Sequence, residues 1–230
     1  MKSVLGSEQR RGWIVLFVSA CLLVPVVALT VAPAPVRAQD NDNASNTDAR
    51  PNETEARAFV KDLADRAIGI LRRDGVTKAE QLRVFEDLLT QGFDLDFLAR
   101  LALGRYRRQA TPVQLEEYDR LFGKFILNKY SSVLGAYSGE QLVVTSTRAA
   151  GRRDIYVTTE IARGSDGARV DWRVRQYDDG LRIIDVVVEN ISMVISQREE
   201  FASVISREGF EGLLRRLRQQ EMQVVEAMRG

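Results

Sequence analysis

Histidine is absent from the 230 residues, and cysteine occurs once, at Cys21. Acid–base chemistry would therefore fall to Asp185, Glu189, Glu160, Asp171 or a tyrosine. A carboxyl group held in an apolar pocket is raised in pKa and can act as a base. No two of these groups stand at a spacing that marks a catalytic pair, and neither a Gly-rich phosphate loop nor a nucleophile elbow occurs. The missing imidazole excludes serine–histidine and cysteine–histidine pairs and nearly all zinc sites built on histidine. One cysteine excludes an intramolecular disulfide and a CxxC site. The expectation is a protein that is not an enzyme and carries no cofactor or metal.

The cationic residues offer binding chemistry instead. Arg105, Arg107 and Arg108 flank Tyr106 and could meet a phosphate or an acidic surface; a solvated loop is the alternative. Arg215, Arg216 and Arg218 follow Leu213-Leu214 and could touch anionic headgroups, but Glu208, Glu211 and Glu221 dilute them, which favours a solvated face. Arg198 falls near an expected helix start, where a cation is disfavoured by the dipole, so a buried pairing with Asp185 or Glu189 is expected for it. The net charge of +1 gives no global attraction to nucleic acid, and none is expected as a partner.

These residues sit on elements that read as helices, then strands, then helices. Phe59, Val60, Leu63, Ala67, Ile68 and Leu71 recur three or four apart and predict a helix from about Glu53 to Arg73. Thr77 with Glu80 makes a capping box for a second helix that ends before Gly92. Asp94 caps a short third helix closed by Gly104. Thr111-Pro112-Val113-Gln114 opens a long helix that stops near Gly135. The period then shifts to two: Leu142–Thr147, Ile155–Ile161, Val170–Tyr177 and Leu181–Val194 read as four strands joined by short turns, an antiparallel meander. Ile183, Ile184, Val186, Val187 and Val188 break the alternation, so the last strand is buried on both sides or lines something apolar. Ser196 with Glu199 predicts a further helix ending near Gly209, and Phe210 to about Ala227 the last. The fold class is α+β: a curved antiparallel sheet of about four strands covered by N- and C-terminal helices.

The N-terminus reads differently. Lys2, Arg10 and Arg11 precede an uncharged run from Trp13 to Leu29, and Val36-Arg37-Ala38 closes it, which describes a secretory signal over residues 1–38 cleaved after Ala38. A retained membrane helix, a lipoprotein site at Cys21 and twin-arginine export at Arg10-Arg11 are the competing readings. Losing Lys2, Arg10, Arg11, Arg37 and Glu8 takes the charged residues from 33 basic and 32 acidic to 29 and 31. No cysteine is left, so an oxidising compartment would be indifferent to the chain. Residues 39–53 read as a solvated linker, and 54–230 as the folded domain.

Residues 101–139, LALGRYRRQATPVQLEEYDRLFGKFILNKYSSVLGAYSG, and residues 180–201, GLRIIDVVVENISMVISQREEF, resemble the MlaC, or toluene-tolerance, family of periplasmic phospholipid-binding proteins. The first holds the run Leu103-Gly104-Arg105-Tyr106-Arg107-Arg108-Gln109-Ala110-Thr111-Pro112, close to the family's L-G-x-Y-W-R-x-A-T-P-like pattern. Departures are Leu181 for a usual tryptophan, Asn190 for glycine, Arg107 for an aromatic residue and Gln197 for tyrosine. The resemblance covers most of residues 54–220.

It implies a monomeric periplasmic carrier that holds the acyl chains of a phospholipid in an apolar cavity of a cone-like fold. Its implied partners are an inner-membrane substrate-binding ring and an outer-membrane lipoprotein complex of an ABC transport system. On that basis the lipid-binding candidates are Val157, Trp172, Val174, Ile184, Val186 and Val188 on the strands. On the helical side they are Phe97, Leu101, Tyr106, Phe122, Phe125, Ile126 and Tyr130. Plain core packing is the alternative for each. A hopanoid-type lipid carrier, a ligand-free periplasmic adaptor and a cone-fold enzyme are the other functional readings.

Overall fold

The computed structural model describes residues 50–135, 139–163 and 166–229, and Ala49–Gly230 form one compact unit. The expected signal over 1–38 and most of the expected linker lie outside the described residues. The last residues of that linker belong to the fold: Pro51 is buried, and Asn52 caps the first helix by accepting hydrogen bonds from the Thr54 and Glu55 amides.

Helix α1 spans Glu53–Leu71 and α2 spans Lys78–Gly92. The α2 capping box forms as expected: the Thr77 amide donates to Glu80 at 2.8 Å, and the Glu80 amide donates to Thr77 Oγ1 at 3.2 Å. Helix α3, Leu95–Leu103, starts where the Phe97 amide donates to Asp94 Oδ1 at 2.8 Å. It ends at Gly104, whose φ of 52° and ψ of −128° suit glycine alone. A 3₁₀ segment, Gly104–Gln109, leads to α4, Pro112–Gly135. There the Gln114 amide donates to Thr111 Oγ1 at 3.3 Å, and the Thr111 amide donates to Gln114 Oε1 at 3.0 Å.

Five antiparallel strands follow in the order β1-β2-β3-β4-β5: Gln141–Ala150, Asp154–Arg163, Asp166–Tyr177, Gly180–Val188 and Ile191–Ser192. The meander matches the sequence reading, with two corrections at its end. Strand β4 stops at Val188 rather than Val194, because Glu189 and Asn190 both take positive φ, 47° and 67°, and turn the chain back into β5. Asparagine tolerates that conformation, so Asn190 serves where the family pattern has glycine. The final helix, α5 (Met193–Arg229), then starts earlier than Ser196: Ser192 Oγ accepts from the Ile195 amide at 3.2 Å. Gly209, at φ 71° and ψ 176°, divides α5 into two helices, where the sequence places a break.

The two sheet edges differ. The β4 edge is covered by β5 and by a parallel bridge from Phe93 to Ile183, with the Asp94 amide donating to the Ile183 carbonyl at 3.0 Å. Strand β1 forms the other edge, and α1 crosses close to it: Arg57 Nη2 donates to the Val144 carbonyl at 3.2 Å, and Thr147 Oγ1 donates to Glu53 at 2.7 Å. Among the described residues no helix is long and apolar enough to cross a membrane, and no group of three or more potential metal ligands is found.

Candidate functional site

Strand alternation sorts the sheet into two unlike faces. Register aligns Ile155 with Val174 and Ile183, Val157 with Trp172 and Val186, and Thr159 with Val170 and Val188. Of these, Ile155, Val157, Val174, Ile183, Trp172 and Val186 cluster with Ala56, Phe59, Val60 and Leu63 of α1, which covers this face there. Val157 and Val174 are 0% exposed, whereas Trp172 and Val186, next to them on the same face, stay half-buried. The Trp172 indole N–H donates to Thr159 Oγ1 at 2.9 Å, and Thr159 Oγ1 donates to the Val170 carbonyl at 3.3 Å. This leaves the buried hydroxyl satisfied and fixes the indole plane. Ile184 is the extra residue of a β-bulge opposite Arg173 and Val174, which is why β4 fails to alternate; it is buried too.

The opposite face is charged. Asp154 and Asp171, 2% and 3% exposed, each lie under two arginines. Asp154 accepts from Arg175 Nε at 2.7 Å and Arg173 Nε at 2.8 Å. Asp171 accepts from Thr158 Oγ1 at 2.7 Å, Arg148 Nη2 at 2.9 Å and Arg169 Nη2 at 3.1 Å. Burial pushes both carboxyl groups up, but these hydrogen bonds and the guanidinium charges outweigh it and hold both below the usual aspartate value. Asp185 differs. Burial raises its pKa despite hydrogen bonds from Ser192 Oγ and from the Val194 and Val186 amides. It ties β4 to the start of α5. Arg198 is exposed, and its side chain lies instead over Gly104; a Cβ there would come within 2.9 Å of Arg198 Cδ. Glu189 accepts from the Arg169 amide at 2.6 Å.

The helical candidates gather elsewhere. Phe122 and Phe125 are buried among Tyr118, Phe201 and Phe210, with Leu101, Tyr106 and Ile126 packed against them between α3, α4 and α5. Rings meet at centroid distances of 5.2 to 6.3 Å, two pairs edge-on, the arrangement aromatic quadrupoles prefer. Phe97 is half-buried beneath the Arg175 guanidinium, 4.8 Å from its ring, beside the charged face. Tyr130 is half-buried on α4. Val157, Trp172, Val174 and Val186 are thus brought together, and Phe122 and Phe125 join a different cluster. The α1 residues Phe59, Val60 and Leu63 were missing from the candidates. Their spacing of three and four marked an apolar face, but nothing local says which strands it meets. A shallow groove of about 750 Å³ along the last turns of α5, lined by Gln219, Met222, Gln223, Glu226 and Ala227, takes in none of the candidates.

The two motif segments meet in space at Gly104 and Arg198, and the family model described as MlaC protein matches residues 61–219. The chain belongs to the MlaC family. Within that family it is similar to the intermembrane phospholipid transport system binding protein MlaC of Haemophilus influenzae, with 21% identity over 137 residues, 57% of this chain and 64% of the relative. The match therefore spans slightly less than two thirds of the relative. The fold is shared with a phospholipid-binding protein from Ralstonia solanacearum solved in complex with a phospholipid: TM-score 0.63, 24% identity, 74% of this chain and 99% of that one. The MlaC-family departures have local roles here. Gln197, where the family pattern has tyrosine, is buried and accepts from Lys129 Nζ at 2.6 Å. Leu181, where it has tryptophan, packs at the margin of the α1–sheet cluster.

Proposed function

We propose that this chain is a periplasmic carrier that binds a phospholipid and shuttles it between an inner-membrane substrate-binding ring and an outer-membrane lipoprotein complex. A diacyl phospholipid carries roughly 30 methylenes, and exposing them to water at about 0.8 kcal/mol each costs on the order of 20 kcal/mol or more. A shuttle must replace the bilayer interior with apolar walls of its own. The observation that carries the reading is the α1-covered face of the sheet. It is continuous and apolar, and it stays incompletely covered at Trp172 and Val186, beside fully buried Val157 and Val174. We assign the acyl chains to this face, with Trp172 and Val186 where they enter. Family membership and the phospholipid-bound structural relative support the same reading. Phe122 and Phe125 are assigned to the core.

The test is native mass spectrometry of residues 39–230 purified from a Gram-negative host, followed by solvent extraction and lipid analysis. A stoichiometric phospholipid adduct is expected. A clean apo mass, with no uptake from added phospholipid vesicles, overturns the proposal.

A further inference from the structure

Most arginines on the sheet and on the C-terminal half of α5 have their charge matched in ion pairs. Arg148 and Arg169 pair with Asp171, Arg173 and Arg175 with Asp154, Arg215 and Arg216 with Glu208, and Arg218 with Glu117 and Glu211. The arginines of the 3₁₀ segment and of its neighbour on α5 are in no ion pair among the described residues. Arg57, Arg83 and Arg207 share that property but are scattered and donate to backbone carbonyls, whereas these are grouped. Arg105 is exposed and stacks on Tyr106, with Cζ 5.1 Å from the ring centroid and Nη2 3.3 Å from the hydroxyl. Arg107 has a buried Nη1 with no hydrogen-bond acceptor. Arg108 is exposed, and Arg198, also exposed, lies over Gly104 at the start of the same segment.

Among the described residues, Arg105, Arg108 and Arg198 form no ion pair; the nearby carboxylates Asp96 and Asp119 act on Arg100 and Arg107 instead. Asp119, exposed at the surface, lies in the field of Arg107 and Arg100 and balances part of their charge. Exposed aliphatic side chains stand close to the arginines along the chain: Val113, 74% exposed, at the first turn of α4, five residues after Arg108, and Ile195, 37% exposed, one turn before Arg198 on the same face of α5.

Guanidinium groups free for phosphate, set beside exposed aliphatic side chains, have the composition of an interfacial membrane anchor. We infer that Arg105, Arg108 and Arg198, with Val113 and Ile195, form a docking patch for the surface of an anionic phospholipid bilayer. The inference rests on the carrier reading, since a lipid carrier has to approach membranes, but it concerns a surface distinct from the α1-covered sheet face. Arg105 and Arg108 meet headgroup phosphates, and Val113 and Ile195 reach the acyl boundary. The aliphatic flank favours a bilayer over an acidic protein surface, which would need no apolar contact there.

The experiment is vesicle flotation of residues 39–230, the chain that contains the compact unit Ala49–Gly230. Phosphatidylglycerol vesicles are compared with phosphatidylcholine vesicles at low salt and at about 0.5 M salt, where screening acts within a few ångströms. Binding is expected to phosphatidylglycerol only, and to be lost at high salt. The triple variant Arg105→Gln/Arg108→Gln/Arg198→Gln should bind on the order of 100-fold more weakly, about fivefold for each arginine. The control Arg215→Gln/Arg216→Gln should change binding less than twofold. If the triple variant melts early, the exposed pair Arg105→Gln/Arg108→Gln replaces it, with a loss of roughly 25-fold expected. Failure of the parent chain to float with phosphatidylglycerol overturns the proposal and leaves the patch to an acidic protein partner. An equal loss in the control overturns it as well. Lipid retained through purification, read on the same variants, should be unchanged. Its absence from the parent chain would instead be a failure of the carrier reading.

Discussion

The two apolar clusters that hold candidate residues differ in composition. Between α3, α4 and α5 the cluster is aromatic at its centre, with half-buried Leu101, Tyr106 and Ile126 around it: Tyr118, Phe122, Phe125, Phe201 and Phe210 bury their rings against one another, and the Tyr118 hydroxyl donates to the Ala99 carbonyl at 3.0 Å. Burial of that phenol raises its pKa well above the ordinary tyrosine value, so it stays protonated as a donor. Against the sheet the cluster is mostly aliphatic, and Trp172 and Val186 are half-buried within it. Under the proposed function the aromatic cluster serves the fold. Branched aliphatic side chains on a pleated surface present a smooth wall along which alkyl chains can lie.

The comparison can be broken by mutation. Phe122→Ala should have the largest effect, a loss of about 3–5 kcal/mol in urea unfolding, with lipid per folded molecule unchanged. A drop in lipid content greater than the drop in folded protein would place the aromatic cluster in the ligand path. Asp154→Ala comes next at about 2–4 kcal/mol, because it leaves Arg175 poorly solvated; the exposure of Arg173 moderates the cost. Lipid retention should survive in whatever remains folded, since this is the sheet's other face. Gly104→Ala combines a forbidden backbone angle with a 2.9 Å approach to Arg198 Cδ, and about 1–3 kcal/mol should be lost. If thermal melting shows no change, the contact between the two family motifs is not structural.

Trp172→Ala sharpens the contrast from the other side. Its stability cost should be small, about 1–2 kcal/mol, because the side chain is only half-buried. Lipid per folded chain, by extraction and mass spectrometry, should fall several-fold. Equal losses of stability and lipid would make Trp172 ordinary core.

The smallest effect is a slope with pH. Asp154 and Asp171 have folded-state pKa values below the 3.8 of free aspartate, so their stabilisation is complete above that value and is lost as pH falls through the folded values. Asp185 has the opposite sign: its folded pKa lies above 3.8, so its contribution declines as pH rises from 3.8 to the raised value. Unfolding free energy should therefore drop below about pH 4. Asp185→Asn should remove the opposing decline above that pH. An unchanged profile in Asp185→Asn would show that Asp185 does not titrate differently on folding.

Much of this architecture is local, and local features are legible in a sequence. Thr77 with Glu80, Asp94, and Thr111 with Gln114 marked helix starts because a cap is made by side chains two or three positions from the amides they serve. Gly104 and Gly209 marked breaks because only glycine takes their backbone angles without strain. Alternation over Ile155 to Ile161 marked a strand with two unlike faces. Ser196 was the wrong cap, because Asp185, on another element, draws Ser192 into place through a 2.6 Å hydrogen bond.

Which apolar residues would share a cluster was not legible at all. Phe122 and Val157 are equally apolar in the sequence, and the pairing of α1 with the sheet or of α4 with α5 depends on contacts between residues far apart in the chain. Hydrophobic burial is proportional to area and indifferent to direction, so periodicity says that a face is covered without saying by what. The amino-acid sequence thus determined the caps, breaks and alternating faces of the elements, while the tertiary structure alone decided that Phe122 joined the cluster of α3, α4 and α5, that Val157 joined the cluster of α1 and the sheet, and that Trp172 and Val186 stayed half-buried.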